Sequence, residues 1–316
     1  MKCLCCGKSI RAENQSGWHK SCIQKFFGTT QIPHIEINDN TLETMAAEST
    51  AKGYTVPGVQ KKLSLHLLMD GEVPRLTLVN FPTGYILKPQ VEQFEALPES
   101  EHLVMAMADA VGIATVPHAL IQIGKVYAYI TKRIDRVFYN DHVEKLAMED
   151  FCQLDLRLTQ NKYSGSYERC GRLLKKYSNR SGFDISELFF RIVFFYITGN
   201  SDMHLKNFSL IETAVGSMEY VLSKAYDLLP VKVNMPEDNE DFALAMNGKK
   251  MNIRRNDFFL FAENIGITKE AAQKMINQLV SQKDMLKSMC TESYLPDHMK
   301  TSFLELIEKR CSVLMS

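Results

Sequence analysis

One segment of the 316-residue chain concentrates polar chemistry: Gly199-Asn200-Ser201-Asp202-Met203-His204-Leu205-Lys206-Asn207-Phe208. Asp202 and Asn207 stand in D-x4-N spacing. In phosphoryl-transfer loops of that spacing, the carboxylate orients or deprotonates the acceptor hydroxyl and the asparagine binds Mg2+. Further along, Ala225-Tyr226-Asp227-Leu228 offers a second hard ligand, Asp227, and oxygen ligands with nucleotide phosphates suit Mg2+. Upstream, Lys88 closes the apolar run Ile86-Leu87, where an ammonium can reach the α- and β-phosphates of ATP. Glu101, expected in the first turn of the next helix, can pair with it. Pro57-Gly58-Val59-Gln60-Lys61-Lys62 precedes a strand pattern and is a candidate phosphate loop. It matches neither G-x-x-x-x-G-K-[ST] nor G-x-G-x-x-G, which disfavours a P-loop NTPase.

A second constellation lies at the N-terminus. Cys3 and Cys6 have C-x2-C spacing, and His19 and Cys22 form an H-x2-C pair. Four N/S ligands in two close pairs suit a tetrahedral structural Zn2+. Cys5 can replace Cys3 or Cys6 in such a set, and a tail of surface thiols without metal is the alternative. The other cysteines, at 152, 170, 290 and 311, are scattered, which does not fit a secreted disulfide framework and points to a reducing, cytoplasmic setting.

The elements that must position these groups change character along the chain. Residues 1–30 form the Cys/His segment, followed by a polar connector with a short helical pattern over 42–51. Between Lys61 and Lys88, leucines alternate with polar residues at 63, 65 and 67 and at 76 and 78, and Asp70-Gly71 signals a hairpin turn. Pro98-Glu99-Ser100-Glu101 opens a helix that stops at Gly112. Strands are expected at 116–123 and 126–131, closing a strand-rich lobe over 31–136. The remainder, 137–316, reads as a helical lobe. Asp184-Ile-Ser-Glu187 resembles an N-cap box, ahead of a run, Leu188 to Ile197, apolar nearly all round and so central. Further helices are expected at 256–264, 268–289 and 298–314. Clefts between lobes are favoured ligand sites.

Composition narrows the function classes. Lys+Arg and Asp+Glu both number 37, so no chain-wide basic field for direct nucleic-acid binding exists. No apolar run is long enough for a transmembrane helix, and no membrane association is expected.

The order of parts (loop, Lys, Glu, Asp-x4-Asn, Asp) over a strand-rich then helix-rich chain is that of a bilobal kinase. Across about residues 50–310 the chain resembles the HipA-like serine/threonine kinases of bacterial toxin–antitoxin systems. The resemblance rests on Val56-Pro57-Gly58-Val59-Gln60-Lys61-Lys62, Ile86-Leu87-Lys88-Pro89, Ser100-Glu101-His102, Lys132-Arg133-Ile134-Asp135-Arg136, Glu149-Asp150-Phe151-Cys152-Gln153, the Asn200–Phe208 block and Tyr226-Asp227-Leu228. It implies an α+β, bilobal protein-kinase-like fold with a small β-rich N-lobe and a larger helical C-lobe. It implies ATP and Mg2+ as cofactors. Gly58, Val59, Gln60 and Lys61 would form the phosphate loop, and Lys88 would bind phosphates with Glu101 supporting it. Asp202 would be the catalytic base, His204 and Lys206 would support the loop or the transferred group, and Asn207 and Asp227 would hold Mg2+.

The family's loop can be ejected after autophosphorylation of a preceding Ser. Thr55 stands in that place, and Pro57 stands where the short members called HipT carry a second Ser. In place of the family's long N-terminal subdomain this chain has the Cys/His segment, as in short members whose missing subdomain is a separate small protein. The implied partners are a HipB-like DNA-binding antitoxin, a small HipS-like subunit and a protein substrate of the aminoacyl-tRNA synthetase class, with inhibition of translation as the outcome.

Each residue also has a plainer reading. Asp202 and Asn207 fit a helix cap and a turn; Lys88 and Asp227 alongside them favour chemistry. Lys88 reads equally as a solvated strand end, and Glu101 as an acid answering the helix dipole. Asp135 reads as a structural ion pair, Glu149-Asp150 as surface charge unless Asp150 caps a helix, and Thr55 as a surface threonine. A lipid kinase of phosphatidylinositol-kinase type, with its D-x-H-x-x-N loop, and an inactive pseudokinase binding module are the competing functions.

Overall fold

The computed structural model describes residues 2–11, 16–35, 62–69, 73–77, 84–139 and 142–316. The helix expected over 42–51, the Asp70-Gly71 turn, Leu78, Thr55, Pro57 and the phosphate-loop residues Gly58, Val59, Gln60 and Lys61 lie outside the described residues. The chain divides into two compact units, one of residues 1–102 and 116–134, the other of residues 103–115 and 135–316. The division runs through the Leu97–Ala110 helix.

The first unit is built on a six-stranded sheet. Its strands are β1 (His34–Ile35), β2 (Leu63–Leu68), β3 (Arg75–Thr77), β4 (Tyr85–Lys88), β5 (His118–Ile123) and β6 (Val126–Lys132), in the order β1-β3-β2-β4-β6-β5. All neighbours are antiparallel except β1 and β3. Alternation decides the faces: Leu63 and Leu65 are buried while Ser64 is exposed. Gly124, with φ 58°, makes the β5–β6 turn that side chains with a Cβ would resist. The Cys/His segment belongs to this unit. Leu120 of the edge strand β5 donates its N–H to the Leu4 carbonyl at 2.8 Å, and the Tyr85 hydroxyl donates to the Phe26 carbonyl at 3.3 Å.

Behind β6 lies a buried aromatic group. The His102 ring meets His118 edge-on at 5.6 Å, and His118 stacks on Tyr129 at 6.2 Å. Burial and the neighbouring His118 push His102 down to about 3, against the Cys5 backbone, which pulls the other way. The imidazole is therefore neutral in the folded protein at ordinary pH.

The second unit is mostly helical. The Ser181–Thr198 helix is its centre, with every residue from Leu188 to Thr198 buried. Its start differs from expectation. The cap position is Arg180, and Asp184 lies inside the first turn, accepting from Ser178 Oγ, Arg180 Nε and the Leu222 N–H. The carboxylate that looked like a local cap satisfies a buried backbone donor on a distant strand instead. The helix ends at Gly199, φ 66°, whose N–H reaches back to Phe195 and Tyr196 carbonyls. A Cβ there would stand 2.5 Å from Leu306 Cδ2 and 3.2 Å from Lys232 Cβ.

Around the helix stand Tyr167–Tyr177, Arg255–Ile265, Lys269–Val280 and Asp297–Met315, and Lys283–Thr291 packs on the last of these. The single helix expected over 268–289 is two, interrupted at Ser281-Gln282. β7 (Arg136–Phe138) and β8 (Val143–Lys145) pair with each other, and a small sheet of β9 (Met148–Asp150), β10 (Ser209–Glu212) and β11 (Tyr220–Leu222) has β10 in the middle. All eight cysteines are free thiols. Among the described residues no helix is long and apolar enough to cross a membrane.

Two measurements test this packing. The unfolded chain takes up a proton on His102 near pH 6.5 while the folded form resists it to about 3. Stability should therefore be full above about pH 6.5 and fall as pH drops towards 3, by up to about 1.4 kcal/mol per unit. His102→Gln should flatten that slope in urea unfolding followed against pH; an unchanged slope removes the assignment. Gly199→Ala should lower stability by about 2–4 kcal/mol, from left-handed strain plus overpacking against Leu306. A urea midpoint equal to that of the parent would contradict the geometry.

Candidate functional site

In the first unit, Lys88 is the last residue of β4, opposite Tyr129 on β6. Its Nζ donates to Glu101 Oε1 at 2.5 Å, and the two side chains are 5% and 0% exposed. The ammonium also lies 5.3 Å from the centre of the Tyr129 ring. The reading of Lys88 as a solvated strand end is thereby corrected: desolvating an ammonium is tolerated here because a carboxylate meets it. Glu101 stands in the second turn of its helix, and the first-turn acid is Glu99. Glu101 is thus placed by pairing with Lys88 rather than by the helix terminus.

In the second unit, the Gly199–Phe208 segment leaves the central helix and is tied down at almost every residue. Asn200 N–H bonds to the Phe195 carbonyl at 2.9 Å, and Ser201 Oγ donates to Asp238. The Tyr163 hydroxyl donates to Asp202 Oδ1 at 2.8 Å. Buried Tyr167 donates to the Met203 carbonyl at 3.2 Å, and the Leu205 N–H to the Lys162 carbonyl at 3.1 Å. His204 is buried, edge-on to Tyr163 at 5.1 Å, with its N–H on the Asp202 carbonyl at 2.9 Å. Asn207 Nδ2 donates to that same carbonyl at 3.0 Å. Asp202 and Asn207 are therefore held as one turn, closed by the amide half of the asparagine, with its Oδ1 as the remaining hard donor.

Lys206 Nζ pairs with Asp150 Oδ2 at 2.6 Å. Asp150 also caps the short Phe151–Leu154 helix in a reciprocal box with Gln153. One carboxylate thus serves a helix start and the loop lysine. Phe208 fixes the far end of the loop, with ring centres 5.7 Å from Phe151 and 6.2 Å from Phe195. Tyr226, half-buried, donates to the Lys206 carbonyl at 3.1 Å and shares a hydrogen bond of 2.5 Å with Ser209. Next to it Asp227 has φ 62°, the left-handed region that an aspartate enters at a cost. The Ala225 N–H, on the Ala114 carbonyl at 2.8 Å, holds this turn from the other side. Asp135 makes the expected ion pair, with Arg136.

At the N-terminus, the ligand atoms of Cys3, Cys6, His19 and Cys22 all lie within 4.8 Å of one another. Cys5 is not in this group, which decides between the alternatives at the C-x2-C end.

The partners that sequence reasoning did not name are Asp150 for Lys206, Tyr163 for Asp202 and Tyr226 for the loop carbonyl. The D-x-x-Q spacing of Asp150 and Gln153 is a readable cap signal. Nothing local in the sequence marks Tyr163.

Known proteins share the chain's family and its fold. The model of the HipA-like C-terminal domain family matches residues 54–286. A Haemophilus influenzae protein named "Putative kinase" is 27% identical over 288 residues, 83% of this chain and 82% of that one. "Putative kinase Y4mE" of Sinorhizobium fredii is 29% identical over 236 residues, 72% of this chain, which spans only 54% of its length. Among solved structures, HipA of Shewanella oneidensis MR-1, in a complex with HipB and operator DNA, superposes with a TM-score of 0.68. It has 20% identity, over 83% of this chain and 67% of that one. The Helicobacter pylori proinflammatory kinase CtkA gives a TM-score of 0.54 at 13% identity, over 79% and 93% of the two chains. These likenesses give the fold as the α+β kinase-like fold of HipA. The chain belongs to the HipA-like C-terminal domain family.

Proposed function

We propose that the chain is an ATP- and Mg2+-dependent protein serine/threonine kinase. The observation that carries this reading is the buried Lys88–Glu101 pair at the end of a strand, an arrangement suited to an ammonium kept for phosphate. The donor sets fit the cofactors. Asn207 Oδ1 and the Asp227 carboxylate are hard oxygens that would hold Mg2+, and Lys88 Nζ would meet the nucleotide's phosphates. Bound Mg2+ would offset the negative charge of the phosphates.

Asp202 would receive the acceptor hydroxyl. The hydroxyl oxygen attacks the γ-phosphorus of ATP, the bond to the ADP oxygen breaks, and the hydroxyl proton passes to the Asp202 carboxylate. His204 and Lys206 would act by keeping the loop in place, Lys206 through Asp150. Much of the acceleration would come from positioning and preorganised charge. Gly58, Val59, Gln60 and Lys61 would cover the phosphates, and phosphorylation of Thr55 would restrain the enzyme.

The family and the HipB-bound neighbour support a HipB-like antitoxin as partner. A HipS-like subunit would complete the assembly, and a translation protein of the aminoacyl-tRNA synthetase class would be the substrate. Growth inhibition would follow.

ATP with Mg2+ should raise the melting temperature, adding about 2.7 kcal/mol of stability at a ligand concentration of about 100 times Kd. No shift would favour a binding module without nucleotide. With γ-labelled ATP offered to protein and to lipid vesicles in parallel, label should enter serine or threonine; label in lipid alone overturns the protein-kinase reading. Asp202→Ala should cut transfer by about 10^2–10^4-fold while the far-UV spectrum stays as in the parent. Tyr163→Phe should raise kcat/KM for the acceptor protein, since the tyrosine hydroxyl would compete with the acceptor for the Asp202 carboxylate. A fall would place Tyr163 in the catalytic machinery instead.

A further inference from the structure

The N-terminal segment precedes the region matched by the family model and uses none of the kinase residues. We infer that Cys3 Sγ, Cys6 Sγ, His19 Nδ1 and Cys22 Sγ bind one Zn2+, and that this ion locks the segment onto β4 and β5, making it an integral part of the sheet that carries Lys88.

The ligand geometry is that of a closed tetrahedral site. Cys6 Sγ is 3.4 Å and Cys22 Sγ 3.9 Å from His19 Nδ1. With zinc bonds of about 2.0–2.3 Å, tetrahedral edges between sulfur and nitrogen fall near these lengths. Two local structures bring the pairs together. Cys3 to Lys8 is a tight turn, with Cys3 N–H on the Lys8 carbonyl at 2.8 Å, Gly7 N–H on the Cys3 carbonyl at 2.9 Å, and Gly7 at φ 67°. His19 is the cap residue of the Lys20–Phe27 helix, and Cys22 lies in its first turn. The tautomer is set from outside the cluster: His19 Nε2 is 3.1 Å from the Ser9 carbonyl, so it carries the proton and Nδ1 presents its lone pair to the sulfurs. The His19 N–H points at Cys3 Sγ at 3.4 Å, a donor suited to a thiolate. Four ligands from protein leave no position for water or substrate, so the site is structural.

The apolar side of the segment faces the sheet. Trp18 lies 5.5 Å from both Phe26 and Phe27, and these rings lie 5.9 and 5.5 Å from Tyr85 of β4. Tyr85 donates to the Phe26 carbonyl, and Leu120 of β5 to the Leu4 carbonyl. About thirty residues cannot bury a core of their own, and segments of that size usually need a metal or a disulfide. The cysteines here are free thiols. Zinc would fold the turn and the helix as one piece, and Leu4, Phe26 and Phe27 would then meet β5 and β4 in a fixed geometry.

The test uses the full chain. Elemental analysis of protein purified without added metal, or after incubation with Zn2+ alone and desalting, should show about one zinc per chain. Cys22→Ser should lower zinc affinity by at least about tenfold, and Cys5→Ser should keep the metal. Stripping zinc from the parent protein with a chelator should speed amide exchange about tenfold or more in peptides covering 85–88 and 118–123, and leave the Asp297–Met315 helix unchanged. A parent protein that takes up no zinc overturns the proposal, as does loss of zinc in Cys5→Ser equal to that in Cys22→Ser. Zinc removal that leaves β4 and β5 exchanging as before overturns the locking role. Because Cys22→Ser could fold poorly, the chelator measurement on the parent chain decides independently.

Discussion

A salt bridge between Lys88 and Glu101, closed to solvent, is the constraint on which the first unit depends. Taking the two charges out of water costs several kcal/mol each, and their attraction repays this only at close range and in good geometry. The geometry comes from opposite sides: Lys88 from the end of β4, and Glu101 from the second turn of the Leu97–Ala110 helix. The sheet order, the Tyr129 ring beneath the ammonium, the His118 ring stacked on it and the neutral His102 all bear on holding that one contact. A packed apolar pair would serve stability equally well or better. What the apolar pair lacks is a cation of fixed position.

The second unit solves a different problem, that of keeping a non-helical, polar segment rigid. Its loop follows a helix buried all round, and its backbone groups are taken by Phe195, Lys162, Tyr167, Asn207 and Tyr226. Close to that loop the backbone carries strain at Asp227, in the left-handed region. Strain of this kind is of order 1–3 kcal/mol and persists only where the surroundings over-determine the conformation. Here the Ala225–Ala114 hydrogen bond and the Tyr226 hydroxyl, on the two residues before it, do so.

Much of this was readable in the chain because it is local. The polar block from Gly199 to Phe208 stands out against the apolar run before it, the alternation of Leu63 and Leu65 gives a strand, and Gly112 and Gly199 end helices where expected. What was not readable depends on distant partners. Asp184 and Glu187 have the spacing of a cap, yet the helix begins earlier and Asp184 serves Leu222. Asp150 reads as surface charge until Lys206, far along the chain, is brought to it by the Asp150–Ser209 pairing of β9 with β10. Ser281-Gln282 interrupts a helix whose apolar periodicity runs on across the break. For Asp184 and Asp150 the deciding partner lies far along the chain.

The hydrogen bond from Leu120 to Leu4 touches the outermost strand of the sheet. Bare strand margins invite pairing with other chains, and proteins protect them by covering them. The Leu4 turn stands at that margin as a bumper. A chain deprived of its first thirty or so residues would therefore present β5 as a sticky border, and its failing would be self-association before any loss of chemistry.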